Sequence, residues 1–147
     1  MINQTKKMKN FEALNIYNYV NRQENNKYPM LDLLNKLNVK VKWAFRANFK
    51  KIEDIVNLYN DVLKDLQNEY SDDIHSIEST ETDENGKELK IRTVKDEYIK
   101  DYQNKIRELL DQENEISVKI INIEDIENTD LNFADLEILS FMINENE

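Results

Sequence analysis

The chain contains no cysteine, and that absence removes disulfide staples, thiolate metal sites and cysteine nucleophiles together. Stability has to come from packing. Glycine and proline occur once each, against usual shares of about 7% and about 5%, so turns are few and elements are long. The lone Gly86 also leaves no glycine-rich loop to cradle a phosphate. His75 is the sole histidine, and neighbouring Asp72-Asp73-Ile74 supplies no triad or metal partner at a recognisable spacing, so it reads as a polar residue where a helix ends. No apolar run approaches the roughly 18 residues that span a bilayer. The start, Met1-Ile2-Asn3-Gln4-Thr5-Lys6-Lys7, lacks the apolar stretch of a signal peptide. The expectation is a cytoplasmic protein with no membrane partner.

Charge is plentiful and unevenly placed. Residues 1–52 hold eleven Lys/Arg and three Asp/Glu, a net of +8, whereas residues 53–147 hold nine against twenty-seven, a net of −18. From Glu108 to the end, Lys119 is the one cation against twelve acids. Such a field repels nucleic acid along most of the chain and favours a partner with a basic surface.

Apolar spacing sets the expected elements. Phe11, Leu14, Ile16, Tyr17 and Val20 fit a first helix within residues 1–28, ending near Asn25-Asn26. Pro29 suits a helix N1 position before Met30, Leu31, Leu33, Leu34 and Leu37, and Asn38 can close that turn or cap the next helix. Phe45, Phe49, Ile52, Val56, Tyr59, Leu63, Leu66 and Tyr70 then alternate at steps of four and three, a heptad seam that predicts one helix over 39–72 with a helical partner. Ile52, Val56, Leu63 and Leu66 are its expected core residues, and Ala44, Ile55, Leu58 and Val62 form a second stripe. Over 73–94, Asn85-Gly86 between two polar, β-tolerant runs predicts a hairpin with a two-residue turn. Helical spacing returns from Tyr98 to Leu110, in a helix that can run back along the seam. The β-branched run 116–123 reads as a strand without an identifiable partner, and Asn132 as the cap of a C-terminal helix. The fold class expected is mostly α with minor β, in one domain over 1–147: a long antiparallel helix hairpin with a β-hairpin at its tip, one short extra strand, and flanking helices at both ends.

The order of these features carries a resemblance. Leu33-Leu34-Asn35-Lys36-Leu37, the stretch Val39-Lys40-Val41-Lys42-Trp43-Ala44-Phe45, a long charged helix closing in Glu69-Tyr70, the Asn-Gly hairpin, Arg107-Glu108-Leu109-Leu110, a β-branched strand and Asp125-Ile126-Glu127 succeed one another. In this order the chain resembles a widespread family of small phage proteins of Gram-positive bacteria defined by a domain of unknown function. The resemblance implies a phage or prophage origin and brings no catalytic residue with it.

Candidate sites come from charge. The acidic face consists of Glu108, Asp111, Glu113, Glu115, Glu124, Asp125, Glu127 and Asp130. The alternative face is Trp43 with Lys42, Arg46 and Lys50, spaced four apart so that the three cations share one side of a helix. That window also reads as a solvated basic face paired internally with the acidic body. Glu81, Asp83, Asn85 and Gly86 imitate half of a calcium loop, but Arg92 stands where the closing glutamate belongs. No catalytic, cofactor or metal residue is assigned, and no enzyme activity is expected. The expected function is protein–protein binding, as an acidic inhibitor of a host nucleic-acid-handling or defence protein, with direct nucleic-acid binding disfavoured. The alternative is a virion, tail or head assembly accessory acting through helical oligomerisation.

Overall fold

The computed structural model describes residues 2–22 and 28–144. In chain order they form β1 (Ile2–Lys9), α1 (Asn10–Asn21), α2 (Pro29–Lys36), α3 (Val39–Glu69), β2 (Ser76–Thr82), β3 (Glu88–Val94), α4 (Asp96–Asp111), β4 (Glu113–Ile120) and α5 (Phe133–Leu139), with single 3-10 turns at Ile123–Asp125 and Ser140–Met142. Helices, the 3-10 turns included, hold 58% of the described residues, and strands, in two two-stranded antiparallel sheets and one isolated bridge, hold 23%. The fold is therefore α+β, and the expected long-helix hairpin with minor β is corrected.

The correction has a physical cause in β1. Its residues, Ile-Asn-Gln-Thr-Lys-Lys-Met-Lys, bury only Met8 and carry no apolar alternation, so nothing local marks them as a strand. They become one by pairing with β4, from Ile2 opposite Ile120 to Lys9 opposite Glu113. Strand formation here is decided by cross-strand partners rather than by propensity. The strand read at 116–123 is β4, displaced to Glu113–Ile120, and β1 is its missing partner.

The described residues divide into two compact units, Met1–Asn57 with Glu113–Glu147, and Leu58–Gln112. In the first, the early turns of α3 bury Val41, Ala44, Phe45, Phe49, Ile52, Ile55 and Val56 in one core with Val118 and Ile120 of β4, Leu139, Met142, and Ala13 and Val20 of α1. The seam thus meets a sheet and short helices, where the heptad spacing suggested a helical partner. Tyr17 of α1 stacks on Phe49 with ring centroids 6.0 Å apart. Asn48 is fully buried: its amide donates to the Lys119 carbonyl at 2.9 Å and accepts from the Lys119 N–H at 2.8 Å. A side chain thereby completes the backbone pairing of β4 and fixes the rotation of α3 about its axis. Pro29 opens α2 at N1. Asn38 caps α3, accepting from Val41 N–H at 2.9 Å. The end expected for α1 at Asn25-Asn26 lies outside the described residues.

In the second unit α3 continues to Glu69, making a helix about 46 Å long at about 1.5 Å per residue. Tyr59 and Tyr70 are buried, but Leu63 and Leu66 are only half-buried, and Leu58 and Val62 are exposed. The core expected at Leu63 and Leu66 is corrected accordingly. α4 has no fully buried residue, and the seam in this unit is covered less completely than in the other. The hairpin forms where expected with a different turn. Thr82 pairs with Glu88, leaving a five-residue loop over 83–87 in place of a two-residue turn. Asp83 organises it by accepting from Asn85 N–H at 2.9 Å and Lys87 N–H at 2.8 Å, and Gly86 takes the left-handed φ of 79°.

Candidate functional site

The rotation of α3 decides what its outer side presents. With Val41, Phe45, Asn48 and Phe49 turned inward, the 3.6-residue period carries Val39, Trp43, Arg46 and Lys50 outward. Trp43 is 68% exposed. Beside it, Trp43, Arg46, Ala47, Lys50 and Lys51 line a shallow trough of about 360 Å³ whose walls are almost wholly apolar, built from the indole and the methylene stems of the cations.

The six cations of the acid-free window 36–51 have separate fates. Lys36 pairs with Asp135 at 2.7 Å, and that hydrogen bond raises the lysine pKa above its ordinary value. Lys40 pairs with Asp125 at 3.0 Å, and Lys51 donates to the Ser117 carbonyl. Lys42, Arg46 and Lys50 meet no acid among the described residues. The three cations grouped from spacing therefore do lie together, unpaired, around the exposed indole.

The acidic face fares differently. Glu113 stands opposite Lys9 and Glu115 opposite Lys7 in the β1–β4 register, so β1 sets its own cations against these acids. Asp125 caps the 3-10 turn by accepting from Asn122 N–H at 2.9 Å and also holds Lys40, which together keep its pKa below the usual carboxylate range. Asp130 lies close enough to Lys36 to help raise that lysine's pKa. Glu124 and Glu127 are exposed and meet no cation among the described residues. Glu108 and Asp111, both exposed on α4, belong to the other unit. Of the eight acids grouped from sequence, two within the first unit, Glu124 and Glu127, are exposed and set against no cation among the described residues.

Sequence reasoning missed a cluster in the second unit. Tyr70 is buried; its hydroxyl donates to the Asp101 carboxylate, which raises the phenol pKa, and its ring lies 4.8 Å from that of Tyr102. Lys105 sits 5.1 Å over the Tyr70 ring and 3.1 Å from Glu69, and its pKa is raised by Tyr70 and then by Glu69. His75 lies edge-on to Tyr70 and Tyr98, with Nδ1 2.7 Å from Asp72 Oδ1. The same oxygen accepts from the backbone N–H groups of His75 and Ile74. These contacts, the His75 backbone donor first, hold the Asp72 pKa down. An Asp–His pair can serve catalysis, but neighbouring Ser76 Oγ is spent elsewhere, donating to the Asp72 carbonyl and accepting from Arg92. The four-residue spacing of Tyr98 and Tyr102, which stacks them on one side of α4, is the signal in the sequence that points to this cluster.

A polar hollow of about 430 Å³ at one end of the β1–β4 sheet is lined by Ile2, Asn3, Gln4, Lys40, Ile120, Asn122 and Asn144. Its one charged residue, Lys40, is already held by Asp125. No group of three or more His, Asp or Glu among the described residues is placed to hold a metal ion, and no helix among them is long and apolar enough to cross a membrane. Comparison of the chain with protein-family models, with curated proteins and with solved structures finds no match.

Proposed function

We propose that the protein is a non-enzymatic binding module that docks onto an acidic protein surface through the Trp43 face. The observation that carries this reading is an indole 68% exposed beside three cations that pair with no acid among the described residues. Tryptophan and arginine often anchor protein contacts, tryptophan because it brings a large rigid area with little conformational entropy to lose and arginine because its planar fork makes several hydrogen bonds at once. A strand of nucleic acid would find the same cations, but the net charge of −10 opposes its approach. Of the two roles expected from sequence, an assembly accessory suits this surface better than an acidic decoy. The decoy reading keeps the support of Glu124 and Glu127, which stand unpaired in a segment with no cation after Lys119.

Site-specific photo-crosslinking in the expressing cell tests the choice. A photoreactive phenylalanine analogue in place of Trp43 is expected to give discrete protein adducts, and the same probe in place of Glu127 reports on the acidic face for comparison. Adducts from position 127 alone would overturn the reading and return the contact to the acidic face.

A further inference from the structure

Two segments of the first unit already recognise each other within one chain. Lys36 and Lys40, from the acid-free window 36–51, hold Asp135 and Asp125, from a stretch that has no cation after Lys119. Both segments keep unspent charge: Lys42, Arg46 and Lys50 on α3, and Glu124, Glu127 and Glu137 toward the C-terminus. Each also keeps an exposed aromatic. Trp43 at 68% and Phe133 at 76% are the two most exposed aromatic side chains among the described residues. Phe133 shares its face of α5 with Leu136, 38% exposed, and with Glu137 one turn on. The two faces have matching chemistry and opposite sign.

Resting on the reading of Trp43 as a docking face, we infer that its acidic occupant is a second copy of this chain, presenting Phe133 with Glu137 one turn on, and the acid-rich segment that leads into α5. Like faces cannot meet, because three cations on each side would repel and no acid lies between them. The contact is therefore basic face to acidic face. If each copy can offer both faces to one neighbour, a reciprocal pair closes; otherwise copies add in sequence. The buried centre is aromatic and the rim ionic, the usual arrangement of protein interfaces. The charged rim chiefly sets orientation and excludes like-to-like pairing, while the two rings supply the desolvated area.

Sedimentation velocity on the purified full-length protein at low ionic strength tests the inference. The sedimentation coefficient is expected to rise with concentration. Trp43→Ala and Phe133→Ala should each hold it at the monomer value. A variant with Lys42, Arg46 and Lys50 changed to Glu, and another with Glu127 and Glu137 changed to Lys, should each stay monomeric alone and associate when mixed in equal amounts. Circular dichroism confirms that each variant is folded. A wild-type protein that stays monomeric, association that survives Phe133→Ala, or reversed variants that ignore each other would overturn the second copy as occupant. Such a result would leave crosslinking at position 43 as the separate test of the docking face, since adducts there with other proteins keep that reading.

Discussion

The first and last turns of α3 belong to one helix with one periodicity, yet they are held in different ways. From Val41 to Val56 the seam is sealed by β4, α1 and the C-terminal segment, and Asn48 locks the fit with two hydrogen bonds to Lys119. From Leu58 onward the same spacing leaves Leu63 and Leu66 half-covered, and cohesion concentrates in the Tyr70, Tyr102, Asp101 and Lys105 cluster. A heptad, then, announces an amphipathic helix but not how much of its seam is covered. That depends on elements far away in sequence.

The contrast is broken most directly by truncating side chains at both ends. Phe45→Ala, at a site with no exposure, is expected to cost about 3 to 5 kcal/mol in urea unfolding. Asn48→Ala should cost about 2 to 3 kcal/mol, because it leaves the buried N–H and C=O of Lys119 unpaired. Leu63→Ala should cost only about 1 to 2 kcal/mol, since part of its surface is already in water. A Leu63 loss equal to that of Phe45 would mean the second unit is covered as completely as the first.

Acid sharpens the comparison electrostatically, because among the described residues each unit has one carboxylate whose pKa is depressed: Asp125 in the first and Asp72 in the second. A folded pKa below the unfolded value gives stability that is present above about 3.9 and lost as pH falls through the folded value. Thermal unfolding should therefore show a falling midpoint below about pH 4, and Asp72→Asn and Asp125→Asn should each flatten that fall. A midpoint in either variant that falls as steeply as in the wild type would remove that carboxylate from the acid response.

How far these features could be read from the residues obeys the same division. α3, Pro29 at the start of α2, the Asn132 cap and the hairpin were legible because each is written in spacing or cap chemistry within a few residues. β1 was not, since Ile2–Lys9 is a strand only because Glu113–Ile120 lies beside it. The hairpin register was also hidden, because Asp83 spends its carboxylate on two backbone donors and lengthens the loop. For the sites, spacing did group Lys42, Arg46 and Lys50. It could not reveal that Glu113, Glu115 and Asp125 are set against cations of the basic head, because the charge count has no register in it.

The smallest effect on stability is expected at Trp43, and it separates a functional surface from a structural one. The indole is 68% exposed on a helix whose inward side is already filled, so replacing it removes little buried area. Alanine is also a better helix former than tryptophan by a few tenths of a kcal/mol. Trp43→Ala should therefore leave the unfolding free energy within about 0.5 kcal/mol of the wild type. Its loss should register in binding, since a large aromatic flanked by unpaired cations can bury most of its remaining surface only against a partner. A destabilisation above about 1 kcal/mol in the isolated protein would place Trp43 among the packing residues. The face would then hold the fold together, and the search for the contact would pass to Glu124 and Glu127.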